Sequence, residues 1–238
     1  MTIPEKRLSN LASLQDSQLS LDRTLLKDRA AEALREFISG GRIPEGTKLT
    51  ESEVSRLLGI SRAPARDALM ALEAEGLVVT RSNGRYVIEL NAKDVSDIHA
   101  LRATLERMAV RQAAAARTAA GVADLEAALY RLEEAIGEGD AHRWARADMD
   151  LHRTIWQMAG NAHLVKVLDS MLGVIQVLAA REKGGAVRHP ELDLENHRRL
   201  VRLIVEGHGD RAADEVEAQI DSALRHALKD VNEDNHAR

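Results

Sequence analysis

Between Thr50 and Leu90 the chain carries start and stop signals so closely spaced that few folds satisfy them all. Thr50-x-x-Glu53 is a capping box, in which each side chain satisfies an otherwise unpaired backbone N–H at a helix start. Val54, Leu57 and Leu58 give the helix that follows an inner face, and Gly59 ends it. Ser61 suits the N-cap of the next helix, and Pro64 is tolerated in its first turn, where N–H groups have no helical partner. Ala65, Ala68, Leu69 and Leu72 form that helix's buried stripe, and Gly76 stops it. LVVT (77–80) and RYVIEL (85–90) then read as two strands around Ser82-Asn83-Gly84, a hairpin signal. Upstream, Leu21–Ser39 reads as a helix on Leu26, Ala30, Ala33, Leu34, Phe37 and Ile38, with Gly40-Gly41 as its stop and RIPEGTKL as a loop.

Helix, helix, tight turn, helix and hairpin is the order of a winged helix-turn-helix. In that geometry the second helix of the motif enters the DNA major groove by its N-terminus. At 100° per residue Arg62, Arg66 and Met70 share one flank of that helix, while Asp67 points elsewhere. The two guanidiniums are then placed to meet guanine edges or phosphates. Ser61 and Pro64 lie at the same helix start, and Arg81 and Arg85 flank Gly84 on the wing. The competing reading is a solvated helix edge and an ordinary polar turn; the ordered context favours DNA contact.

From Asn91 onward no strand pattern occurs. Asp94 is placed to cap a helix to about Ala120, Gly121 and Gly137/Gly139 bracket a second, and a third spans about Ala141–Ala159. A fourth is expected over Ala162–Arg181, then a loop EKGGAVRHPE, and two more helices over about Glu191–Glu206 and Asp210–Asp230. Six antiparallel helices make a bundle. The fold class is therefore mainly α: a winged helix-turn-helix at 21–91 and an all-helical domain at 92–232, with flexible tails at 1–20 and 233–238.

The bundle's informative residues are polar groups on inner faces. Trp144, Leu151, Ile155 and Met158 define the apolar face of the third helix, and Asp148 and His152 lie near its centre, four apart. A carboxylate and an imidazole at that spacing can hold one divalent ion from one helix. His197 sits mid-stripe among Leu194, Leu200, Val201 and Ile204; a lone histidine there is ordinarily a satisfied core residue. A second inward histidine beside an inward carboxylate changes that, because a buried carboxylate needs a cation or a donor. Arg102 falls within the face expected to be lined by Ile98, Leu101, Leu105 and Ala109. Either it pairs with Glu106, or it grips a ligand carboxylate with two hydrogen bonds.

The stretch KLTESEVSRLLGISRAPARDALMALEAEGLV resembles the DNA-binding domain of the GntR superfamily of bacterial transcription regulators, over about Leu25 to Leu90. Ser52 stands where members often carry a DNA-contacting arginine. LRATLERMAVRQAAA, ADMDLHRTIWQMAGNAHL and ENHRRLVRLI resemble the FCD ligand-binding domain of that superfamily's FadR-type branch, over about residues 94–230. The resemblance implies a dimeric regulator, more often a repressor, that reads a palindromic double-stranded DNA operator and answers to a small carboxylate effector. It also implies a divalent transition metal (zinc, nickel or manganese) on Asp148, His152 and His197, and an effector-binding role for Arg102. A third metal-binding histidine is expected where gapless alignment puts Gln219, which offers oxygen, a weaker ligand than imidazole for a borderline metal. His226 lies two turns further, roughly 10 Å along the axis, and Asp221 points outward. The centre is then either a three-ligand site completed by water, effector or Gln219, or a metal-free pocket in which these residues bind the effector.

Bulk properties agree. The 238 residues include no cysteine, so no disulfide or thiolate site is available, and 2% are aromatic, which favours helices. No apolar run approaches the ~20 residues of a membrane span, and a cytoplasmic protein without a membrane partner is expected. Net charge is −5, which argues against a uniformly basic nucleic-acid binder. Residues 21–90 carry 11 basic and 11 acidic side chains, whereas 91–238 carry 20 and 25, as a DNA-touching module joined to an acidic one would. Two rival readings remain: a metal-dependent hydrolase on the bundle, with Asp148 or Glu195 as base, and a winged-helix interaction module without an effector. No nucleophile motif or phosphate-cradling loop supports the first.

Overall fold

The computed structural model describes residues 25–184 and 189–236. The tail expected at 1–20 lies outside the described residues, as do 237–238.

The N-terminal part is a winged helix. Helix α1 covers residues 25–39. It is followed by β1 (Lys48–Leu49), α2 (Glu51–Leu58), α3 (Arg62–Ala74), β2 (Val78–Arg81) and β3 (Gly84–Val87). The capping box is formed: Glu53 N–H donates to Thr50 Oγ1, and Thr50 N–H donates to the Glu53 carboxylate. Gly59 ends α2 with φ 66°, a left-handed conformation that a side chain would strain. The sheet has the antiparallel order β1-β3-β2, with Lys48 and Val79 both opposite Tyr86. Strand β1 falls in the stretch expected to be a loop; it occupies the otherwise open edge of β3 and buries Leu49. Leu34, Leu69, Leu72 and Leu77 are fully buried beneath the sheet, each stabilising the fold by about 1.5–3 kcal/mol.

The C-terminal part is an all-helical bundle of α4 (Ala92–Ala115), α5 (Ala119–Glu138), α6 (Ala141–Met158), α7 (Ala162–Asp169), α8 (Leu172–Gly184), α9 (Pro190–Glu206) and α10 (Gly209–His236). Asn91, not Asp94, caps α4; Asp94 is its reciprocal partner in the capping box. That helix stops at Ala115 because Thr118 already caps α5. The helix expected over Ala162–Arg181 is two, bent by 55° at Ser170–Met171. Ser170 Oγ turns back to the Val167 carbonyl, and the bend brings Gly173 against the winged helix. A Cβ on Gly173 would lie 2.5 Å from Leu77 Cγ, so only glycine fits. Helix α10 runs to His236, past the expected end at Asp230, since no glycine or proline interrupts 210–236.

The bundle's apolar core joins Val110, Leu125, Leu132, Met149, Ile155, Trp156, Leu168, Leu200 and Ile204. Among the described residues no single helix is long and apolar enough to cross a membrane.

Candidate functional site

Helix α3 turns its apolar stripe to the core, which leaves one flank outward. Arg62, Arg66 and Met70 are exposed on that flank as the spacing predicts, and Arg66 approaches Asp67 at 3.9 Å. Ser61 is exposed at the N-cap, and its side chain makes no capping bond. Pro64 is buried, so it shapes the helix start and offers no surface, a correction to its expected place in the interface.

The wing differs from expectation in a second respect. Arg85 turns back from the surface to Glu73 at 3.4 Å and Glu51 at 3.8 Å, which ties β3 to α2 and α3. Arg81 remains half exposed, 5.1 Å from the Tyr86 ring and 2.8 Å from Glu89. Lys48, which sequence reasoning missed, reaches the same ring at 5.9 Å from the neighbouring strand. Gly84 has φ 144°, and a Cβ there would meet Lys48 Cε at 2.7 Å. The Lys48 end is flexible and could give way, so it is the positive φ that favours glycine here.

Inside the bundle, α6 and α9 bring Asp148, His152 and His197 together, all buried, with one ligand atom from each within 4.8 Å of the others. His197 Nε2 lies 2.7 Å from Asp148 Oδ1, and His152 Nε2 lies 3.8 Å from the same oxygen. The other ring nitrogens are held from behind. His197 Nδ1 donates to the Asp193 carbonyl at 2.7 Å, and His152 Nδ1 meets Glu106 Oε2 at 2.5 Å. A carbonyl only accepts, so His197 Nδ1 carries a hydrogen. Nε2 then meets the carboxylate oxygen either as a second N–H donor on a cationic ring or, with a metal ion between them, as a lone pair. Backing of each ring by a carbonyl or carboxylate is the arrangement that fixes metal-binding imidazoles. The donor set therefore fits a divalent ion.

Glu106 is fully buried and completes the cluster. It accepts from Arg102 Nε at 2.6 Å on one oxygen and faces His152 on the other. Burial pushes its carboxyl up, but His152 and Arg102, by charge and by hydrogen bond, outweigh burial and hold it down at about 2. Arg102 thus pairs with Glu106, and it also lines the cavity with Asp148, His152, Asp193, His197 and Gln219. Leu101, expected to face in, is 49% exposed; the inward face of α4 instead carries Val95, His99, Arg102, Glu106 and Ala109. His99 Nδ1 donates to the Val95 carbonyl at 2.8 Å; burial, then the Arg102 charge, keep its ring below the usual histidine range. Asp193, also missed, accepts from Trp144 Nε1 at 2.9 Å. Glu195 and Asp221 are exposed, and His226 bonds to the Ser222 carbonyl, away from the cluster.

The cavity at the cluster is only about 30 Å³, and a further pocket of about 10 Å³ adjoins it at Arg102 and Ala223. That pocket's wall is Ile175, Leu178 and Ala179 of α8. An adjoining face of α8 touches the winged helix: Val177 is buried in the winged-helix core, and Val174 packs at Gly76. Helix α6 makes a second link. Arg146, two residues before Asp148, pairs with Glu32 and Glu36 of α1. Glu32 also pairs with Arg35, which grips Glu75 at the C-cap of α3 through both Nε and Nη2.

Comparison with known proteins accords with this architecture. The family described as "Bacterial regulatory proteins, gntR family" matches residues 26–88, and the "FCD domain" family matches residues 97–222. An uncharacterized HTH-type transcriptional regulator, YdhC of Bacillus subtilis, is 28% identical over 84% of this chain and 90% of its own length. The gluconate operon transcriptional repressor of Bacillus licheniformis is 25% identical over 77% of each chain. Among solved structures, E. coli McbR/YncC superposes with a TM-score of 0.73 at 19% identity, covering 86% of this chain and 98% of its own, a likeness of fold.

Proposed function

The chain belongs to the GntR family of bacterial regulatory proteins and carries an FCD domain; it is a DNA-binding transcription regulator and not an enzyme, and from that premise we propose that it is a homodimeric repressor controlled by a small carboxylate at a divalent metal centre. The hydrolase reading falls with the family, and its second candidate base, Glu195, is exposed.

On this reading Arg62 and Arg66 enter the major groove, while Ser61, Arg81, Gly84 and Lys48 meet the DNA backbone. Each module reads one half-site, so two-fold pairing and a palindromic operator go together. The repressor-named relative supports repression. Asp148 Oδ1, His152 Nε2 and His197 Nε2 would hold the ion, which supplies a fixed positive charge for an acidic ligand. Arg102 supplies the second cation, its guanidinium plane set by Glu106. The domain limits proposed are 21–91 and 92–232.

The observation that carries this reading is the link between cluster and DNA-binding domain. A cavity of about 30 Å³ holds an ion or a water, not a metabolite, so an effector must displace its walls. Helix α8 is one such wall by way of the adjoining pocket, and its Val177 sits in the winged-helix core. A displacement there alters how the two winged helices are presented, which is the differential binding that allostery requires. The test is a mobility-shift assay on the DNA upstream of the protein's own gene, repeated with a panel of small hydroxy, sugar and aromatic acids. The expected result is a sequence-specific complex that one acid class dissociates in wild type but not in Arg102→Ala. No specific complex at any salt concentration, or release by the same acids in Arg102→Ala, contradicts it.

A further inference from the structure

We infer that Gln219 is a fourth donor to the ion through its amide oxygen, so that the centre offers two imidazole nitrogens and two oxygens. The inference rests on the metal-centre reading above and concerns what this chain adds to it.

Gln219 projects from α10 and lines the same cavity as Asp148, His152 and His197. Its amide nitrogen donates to the Asn196 carbonyl and to Glu215 Oε1, both at 3.0 Å. Both partner atoms only accept. A flipped amide would set oxygen against oxygen at both contacts, so the hydrogen-bond network fixes which end is which. Glu215 is itself clamped by Arg199, through Nε at 2.6 Å and Nη2 at 2.7 Å. The amide is therefore held from behind, as His152 is by Glu106 and His197 by Asp193.

The other end, Gln219 Oε1, is buried and has no hydrogen-bond partner among the described residues. Native proteins rarely leave a buried amide oxygen without a donor or a cation. It lies on the cavity that Asp148, His152 and His197 line, where one donor atom from each is within 4.8 Å of the others. An ion held by those three would also satisfy the amide oxygen.

The donor type has a consequence. Amide and carboxylate oxygens suit harder ions such as manganese, whereas imidazole suits zinc and nickel. Gln219 therefore narrows the preference for zinc over manganese, relative to the same centre with a third imidazole.

The experiment is calorimetric titration of metal-stripped, full-length protein with Mn²⁺ alone and with Zn²⁺ alone. Wild type is compared with Gln219→Leu, Gln219→His and His152→Ala, and thermal unfolding of each stripped variant checks its fold. Gln219→Leu is expected to lose tenfold or more in Mn²⁺ affinity, and Gln219→His to gain tenfold or more in Zn²⁺ affinity with less change for Mn²⁺. If both Gln219 variants titrate like wild type while His152→Ala has lost binding, the amide oxygen is not a donor and the inference is overturned alone. If wild type and His152→Ala alike bind neither ion, the metal reading falls and the inference falls with it.

Discussion

The outer flank of α3 and the inner face of α4 carry the same kind of side chain under opposite conditions. On α3, Arg62 and Arg66 stand in solvent with one distant acidic neighbour. On α4, Arg102 is 6% exposed and bound to a carboxylate that is itself fully buried. A solvated guanidinium costs the fold almost nothing and, on the proposed reading, is left to meet DNA. A buried one must be neutralised within the fold, so it is part of the structure before it is part of a site. The DNA-facing surface should thus be separable from stability, and the buried cluster should not.

The largest effect expected from this contrast is on Glu106. Glu106→Leu removes the buried carboxylate that Arg102 and His152 share, and should cost about 3–5 kcal/mol of folding stability. Urea denaturation of the metal-stripped protein measures it; a loss below about 1 kcal/mol would mean that Arg102 finds water and the cluster is not closed.

Acid should erase the same contribution. The Glu106 carboxyl sits at about 2 in the folded chain against 4.5 ordinarily. A folded pKa that is depressed adds stability above the unfolded value and loses it as pH falls through the folded one. About 3 kcal/mol is therefore present above pH 4.5 and fades toward pH 2. The stability gap between wild type and Glu106→Gln, followed from pH 6 to pH 2, should close over that window. A gap that stays constant would contradict the assignment.

The wing gives the smallest effect and the finest comparison. Arg81 and Arg85 flank one turn, but only Arg81 faces out. Arg81→Ala should flatten the salt dependence of DNA binding by about one counterion and cost at most about 1 kcal/mol of stability through Glu89 and Tyr86. Arg85→Ala should cost up to about 1 kcal/mol of stability and leave that slope intact. Salt-dependent binding curves with matched thermal melts separate the two.

These contrasts also explain what was legible in the sequence. The N-terminal fold was legible because its signals are local: the Thr50–Glu53 box, Gly59 and Gly76 act within a few residues of themselves. Asp148, His152 and His197 were legible because each interrupts an otherwise apolar stripe. The face of α4 was misjudged at Leu101, since apolar periodicity assumes that the inward side is apolar, and here its middle is His99, Arg102 and Glu106. The spacing 95, 99, 102, 106, 109 was nonetheless a helical stripe, and reading polar residues as part of it would have found the cluster. The α7–α8 break was not legible, because Ser170 and Met171 are compatible with a helix and no glycine or proline stands at the bend. Arg85 was misplaced for a similar reason: its partners, Glu51 and Glu73, are far away in sequence.

The most direct test is fluorescence anisotropy of wild type and Arg62→Ala/Arg66→Ala on DNA from the protein's own upstream region, across a range of salt. Each arginine is expected to contribute about 1–3 kcal/mol, so the double variant should lose specific binding by about 30-fold or more, with an unchanged melting temperature. Equal affinity of the two proteins for that DNA would show that the exposed flank of α3 is only a solvated edge.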